Sequence, residues 1–296
     1  MSMDFTLLDG GMGRELERID APFRQPEWSA LALMESPEHV LRAHQNFIDA
    51  GADIITTNAY AVVPFHIGEE RFKRDGFSLA RLSAKLAFDA ADSAGRDVKI
   101  AGCLPPLFGS YRPDLFDESK APDYLKTLIE AQEPYVDFWL GETLSSLEEA
   151  EAVADALKGN SKNLWLSFNL KEKMKTGEPA LIRSLETMPE LLDFTMQAGA
   201  DALLLNCNTP EDTIIALEEI INLKPDIKLG AYANTFAPVR EAVAANEGLN
   251  AARDDLIPNC YTSLAKKWIE MDVSIVGGCC GIGPEHIADI HRLRVG

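Results

Sequence analysis

At 296 residues and 46% hydrophobic content, the chain is long enough for one large α/β domain or two small ones and can build a substantial core. Its formal net charge of -19 comes from acids scattered over helix faces rather than from one tail, which argues against nucleic acid and anionic membrane as partners and leaves small molecules. No apolar run reaches the roughly 18 residues that a membrane helix needs, and the start MSMDFTLLDGG lacks the segments of a signal peptide, so the expected location is the cytoplasm.

Short apolar runs rich in β-formers recur eight times along the chain: FTLLD (5–9), DIITTN (53–58), KIAGC (99–103), VDFWLGE (136–142), NLWLSFN (163–169), ADALLLNC (200–207), IKLGAYAN (227–234) and VSIVGG (273–278). Each is followed by a loop and a segment of helical period. SPEHVLRAHQNFIDAG opens with Ser36 as N-cap and Pro37 in the first turn, and TPEDTIIALEEI repeats the device with Thr209 and Pro210. Gly51 and Gly199 follow apolar helices and precede strands, the C-cap position in which a left-handed residue is cheap only for glycine.

Eight strand-then-helix units with nearly all-apolar strands imply parallel strands buried on both faces. In a single domain spanning 1–296, the expected closure is a (β/α)8 TIM-type barrel. An open doubly wound sheet is the competitor, but LLDGGMGREL offers Gly10, Gly11 and Gly13 after the first strand rather than a GxGxxG turn. The long insertions at 10–35, 59–76, 104–121 and 235–260 mostly follow strands, on the face where such barrels build their sites.

Five cysteines form an odd set without small-scaffold spacing, so thiols or a metal site are expected rather than a disulfide framework. On a barrel, Cys207 ends strand six and Cys279 and Cys280 end strand eight, at one mouth. A strand would send the vicinal pair to opposite faces, so both reach one centre only where the chain leaves strand geometry, and Gly277, Gly278 and Gly281 would permit the required backbone angles. Three readings fit: a metal site, a redox pair, or buried inert cysteines. As a metal site, three thiolates with one open position resemble catalytic zinc more than structural zinc. Such an ion is poorly suited to ionising water and better suited to holding an incoming thiol as a nucleophilic thiolate.

At these residues the sequence resembles the zinc-dependent homocysteine S-methyltransferase family. LLDGGMGREL (7–16) is similar to its N-terminal box, PEWSA followed by SPEHV to its loop and first helix, LLLNC (203–207) to its central box, and GGCCG (277–281) to its C-terminal box. The resemblance implies methyl transfer to the sulfur of L-homocysteine, with Cys207, Cys279 and Cys280 holding zinc. It also implies that Asp9 and Glu142, at strand ends, receive the substrate ammonium. Gly10 and Gly11, and Thr56 through hydroxyl or amide, would offer donors to the substrate carboxylate, and Asn234 matches a family asparagine near the bound amino acid. For Asp9 the alternative is an Asx turn, for Glu142 an N-cap-like acid, for Asn234 a loop cap.

The methyl donor implied by the resemblance is an onium compound, whose cation aromatic faces stabilise. Trp28 and Tyr60 match positions where the family places aromatics near its donor, loop packing being the alternative. Chain length and the WSA segment resemble the S-methylmethionine users, with S-adenosylmethionine and betaine as lesser donors. Two departures stand out: Thr143 replaces the tyrosine with which betaine-type members cap their zinc, and LPPLFGSYRPDLF (104–116) differs from the family's commoner loop. No general base is required if zinc removes the thiol proton, and of five histidines His39, His44, His286 and His291 are read as solvated helix faces, with His66 open. A zinc hydrolase and a non-catalytic zinc or thiol sensor are the rival functions. The oligomeric state is left open.

Overall fold

A computed structural model describes residues 3–172, 178–236 and 252–295. Its single sheet contains β1 (Thr6–Leu7), β2 (Ile54–Thr56), β3 (Lys99–Leu104), β4 (Phe138–Leu144), β5 (Leu164–Phe168), β6 (Ala202–Asn206), β7 (Lys228–Tyr232) and β8 (Ile275–Val276). The order is β1-β8-β7-β6-β5-β4-β3-β2 with every pairing parallel, and a parallel bridge from Leu8 to Ile54 brings β1 onto β2. The fold is the expected (β/α)8 barrel, with helices around the sheet.

Strand alternation separates two apolar clusters. Leu8, Ile54, Ala101, Phe138, Leu140, Trp165, Ala202, Leu204, Tyr232 and Ile275 fill the interior of the barrel. Their neighbours, such as Leu7, Ile55, Trp139, Leu166 and Leu203, join the larger cluster between sheet and helices. Strands apolar at every position are what a sheet covered on both faces demands. Trp139 lies so close over β3 that a Cβ on Gly102 would come within 2.7 Å of its ring.

The helix signals mostly act as expected. Thr209 accepts a bond from the Asp212 amide at 3.1 Å, and Gly51 and Gly199 adopt φ of 104° and 70°. Ser36 occupies the N-cap of Pro37–Asp49, but its hydroxyl donates to Glu38 at 2.6 Å instead of accepting from the helix backbone. On that same helix His44 is wholly buried with no hydrogen-bond partner on either ring nitrogen, contrary to the expected solvated face, and burial pushes its pKa down to about 3.

The seam where the barrel closes is clamped from the end of the chain. Arg294 donates to Asp53 through both terminal nitrogens, one at 3.0 Å, and to the Phe5 carbonyl at 2.6 Å, while Asp53 accepts the Leu7 amide at 2.8 Å. The two-residue strand β1 and the residue before it are thereby tied to the residue before β2 and to the last helical turn.

Candidate active site

Three thiols meet at the C-terminal mouth. Cys207 follows β6, and Cys279 and Cys280 lie beyond β8; their Sγ atoms all fall within 4.8 Å of one another. Cys207 Sγ is 2.7 Å from Cys279 Sγ and 3.7 Å from Cys280 Sγ. Among the described residues this is the one group of three or more histidine, cysteine or acidic side chains placed to hold a metal ion.

Backbone geometry makes the convergence possible. Cys207 has φ of 55°, left-handed and uncommon for a residue with a Cβ, and the Asn234 side-chain amide holds its carbonyl at 2.8 Å. Gly281 supplies the one turn beside the pair that needs glycine's backbone freedom, with φ of 85°. Gly277 and Gly278 were expected to do the same but serve for closeness instead. A Cβ on Gly278 would lie 2.1 Å from Ile282, and one on Gly277 would lie 2.6 Å from Leu8. Gly11 completes the bed, since a Cβ there would meet the Cys279 carbonyl oxygen at 2.6 Å. The N-terminal glycine box and the C-terminal cysteine box are therefore two halves of one packing contact.

The charge state of the cluster follows from its compactness. Hydrogen bonds from Cys279, then Cys280, with a further one from Tyr111, hold the Cys207 thiol well below its ordinary range. Contact with Cys207 is the first cause that pushes the Cys279 and Cys280 thiols up. Asn206 adds a weak approach to Cys279 Sγ at 3.9 Å, with its amide anchored to Thr143 Oγ1 at 2.7 Å and its carbonyl to Ser167 Oγ at 2.7 Å.

Two carboxyl groups face this cluster across the mouth. Asp9 is buried, and desolvation pushes its pKa up to about 8, aided by the nearby Glu142 charge; Glu142 is raised to about 7 by desolvation. Asp9 is no Asx turn: Oδ2 accepts the Thr56 amide at 2.8 Å, and the Thr56 hydroxyl lies 3.4 Å from Oδ1. Glu142 is no helix cap either, because β4 continues through Leu144 and the next helix starts at Leu147. A register irregularity between Gly141 and Leu144, with Thr143 at φ of 61°, aims it inward. Its oxygens receive the Cys103 thiol at 3.2 Å and the Tyr232 hydroxyl at 3.4 Å.

Two residues expected to face a substrate carboxylate are engaged elsewhere. The Gly11 amide donates to the Ile282 carbonyl at 2.8 Å, and both polar groups of Thr56 are turned to Asp9. They shape and orient the site instead. Asn234 is likewise tied on both sides, to the Cys207 carbonyl and, through Oδ1, to the Phe236 amide at 2.9 Å.

The loop 104–116 contributes what the sequence did not disclose. The Tyr111 hydroxyl donates to Cys207 Sγ at 3.0 Å, and the preceding Ser110 hydroxyl lies 2.6 Å from that of Tyr60. Trp28 packs edge-on against Phe23 and against His66, whose Nδ1 lies 3.1 Å from the Pro26 carbonyl oxygen. Of eight non-glycine residues with positive φ among the described ones, Trp28, Tyr111, Thr143 and Cys207 all belong to this mouth. Strained backbone clustered at one place marks a site that the rest of the fold holds in position.

Comparison with known proteins agrees with the geometry. The model of the family described as homocysteine S-methyltransferase matches residues 6–293. The chain belongs to the homocysteine S-methyltransferase family. It is a methyltransferase of that family, 27% identical over 98% of its length to homocysteine S-methyltransferase 2 of Arabidopsis thaliana, of which 93% is covered. Homocysteine S-methyltransferase YbgG of Bacillus subtilis is 28% identical, over 96% of this chain and 92% of the relative. Selenocysteine Se-methyltransferase of Brassica oleracea is 26% identical, over 98% and 89%. Among solved structures, the metallated form of the homocysteine methyltransferase MmuM from Escherichia coli superposes with a TM-score of 0.78 at 24% identity, covering 98% of this chain and 96% of that one. That likeness concerns the fold.

Proposed function

We propose that the chain, as one barrel domain over 1–296, transfers a methyl group from an onium donor to the sulfur of L-homocysteine, with zinc held by Cys207, Cys279 and Cys280. The carrying observation is the meeting of three buried or half-buried thiols, from positions 72 and 73 residues apart, beside two carboxyl groups with raised pKa. Tetrahedral zinc with sulfur at about 2.3 Å separates its sulfurs by roughly 3.8 Å. The 3.7 Å between Cys207 and Cys280 suits this, and Cys279 reaches it by moving back about 1 Å from its 2.7 Å contact. When bound, the ion would supply the Lewis acidity that keeps an arriving thiol deprotonated yet nucleophilic.

The protein's own groups do the rest. Asp9 and Glu142 ionise around the ammonium of the amino acid, whose charge offsets the desolvation that keeps their pKa high. Thr56 fixes the Asp9 carboxyl, while Cys103 and Tyr232 fix Glu142. Gly10 remains a backbone donor for the substrate carboxylate, and Asn234 orients Cys207 through its carbonyl. Trp28 and Tyr60 receive the onium group, which loses its charge as the methyl moves to sulfur. A site closed to water favours such a charge-neutralising step.

S-methylmethionine is the favoured donor, ahead of S-adenosylmethionine and betaine. Supplying homocysteine and each donor in turn to the zinc-loaded protein, and following methionine by mass, tests the reading. Methionine should appear fastest with S-methylmethionine. Binding of metal and homocysteine without methionine from any onium donor would overturn it and favour a sensor.

A further inference from the structure

Arg183 lies in the segment between β5 and the helix Met188–Gln197, on the same mouth as the thiols. Its guanidinium stands 4.5 Å from the centre of the Tyr111 ring, whose hydroxyl touches Cys207. One phenol therefore separates a fixed cation from the sulfur cluster. Nη2 of Arg183 bonds Glu172 Oε1 at 3.0 Å, while Nε, on the same edge of the fork, is buried with no partner. One proton of an edge suited to a carboxylate thus has no acceptor. The side chain as a whole keeps 23% exposure while Nε itself is covered, so a carboxylate reaches that proton only by displacing what lies over it.

The remaining charge of the mouth says what that ligand is. Asp9, Glu142 and the three cysteines bring acidic groups to this mouth, so a donor carrying a carboxylate needs a positive group to receive it. We propose that Arg183 is the anchor for the carboxylate of the methyl donor and thereby restricts donors to zwitterions, in which an onium centre and a carboxylate are a few bonds apart. This rests on the onium-donor reading above. The unsatisfied Nε proton, the planar fork and the stacking on Tyr111 place the carboxylate one ring away from the thiols, with the onium end directed back towards Tyr60, which is joined to the Tyr111 segment through Ser110. Carboxylate-free sulfonium ions meet no such anchor.

The test measures binding separately from turnover, on the zinc-loaded protein, by calorimetry with two probes: S-methylmethionine and its decarboxylated counterpart, (3-aminopropyl)dimethylsulfonium. The expected result is that the wild type binds the first at least tenfold more tightly and that Arg183→Met erases the gap while leaving the second unchanged. Arg183→Lys, which keeps the charge without the fork, should lose affinity for S-methylmethionine only, and serves if the methionine variant fails to fold. A wild type that does not distinguish the probes overturns the proposal, as does an Arg183→Met protein that weakens both equally, since Arg183 would then only prop Tyr111. Carboxylate-dependent binding without methionine formation would support the anchor and sink the transfer reading.

Discussion

Cys207 and Cys279 bring their sulfurs to 2.7 Å from positions 72 residues apart, and Cys280 lies 3.7 Å from the same Cys207 sulfur. Because Cys207 is the shared centre, no two of the three can keep the third's role. Replacing any one by Ser should reduce bound zinc below about a tenth of an equivalent after dialysis and abolish methionine formation with it. Metal analysis of the purified variants decides this. A variant with full zinc content contradicts the ligand assignment.

The same geometry directs oxidation. In metal-free protein, the Cys207 sulfur lies closer to Cys279 than to Cys280. Mild oxidant should join 207 to 279 and leave Cys280 alkylatable, whereas zinc-loaded protein should resist. Peptide mapping after alkylation reads the pairing directly. A 279–280 product would mean that the vicinal turn rearranges first.

Binding of the amino acid should release protons. In the free enzyme Asp9 and Glu142 titrate near 8 and near 7, so both are partly protonated at neutral pH, and an ammonium ligand drives them to the charged form. Affinity for L-homoserine, which has the ammonium but no thiol, should rise between pH 6 and 8, and calorimetry in buffers of different ionisation enthalpy should show net proton release. Asp9→Asn should weaken that binding by about 2 kcal/mol or more and flatten its pH dependence.

His44 predicts an acid weakness unrelated to the site. Its pKa is depressed to about 3 in the folded protein, so between pH 6.5 and 3 the unfolded chain takes up a proton that the native one excludes, and stability falls as pH falls. The loss approaches about 1.4 kcal/mol per pH unit within that window. Denaturant unfolding at pH 7 and pH 5 should show His44→Leu losing about 2 kcal/mol less than wild type over that interval.

Gly11→Ala places a methyl group 2.6 Å from the Cys279 carbonyl oxygen and 3.1 Å from Cys280 Cα. It should push the cysteine turn outward and weaken zinc retention while the barrel still folds. Unchanged zinc affinity, measured by competition with a chelator, would show that the two boxes pack more loosely than described.

The eight strands were legible because a sheet covered on both faces leaves few polar positions, and runs such as ALLLN and LWLSF stand out for that reason. The cysteines were legible because barrel topology sends every strand end to one mouth. Partners that arise between strands were not. Thr56 and Gly11 looked like free donors because their acceptors, Asp9 and the Ile282 carbonyl, are 47 and 271 residues away. Tyr111 and Arg183 sit in loops without period, where no pattern reveals a ring over a thiol. His44 was readable in principle: Val40, Ala43, Phe47 and Ile48 share its buried face, but a polar residue type outweighed its spacing.

The thiols span positions 207 to 280 of a 296-residue chain, and β8 must pair with β1 and β7 before the last two face the first. With β8 undocked, the three thiols belong to separate segments and form no cluster. An ion held by them would therefore find its full set of sulfur ligands only in a barrel whose seam is already shut.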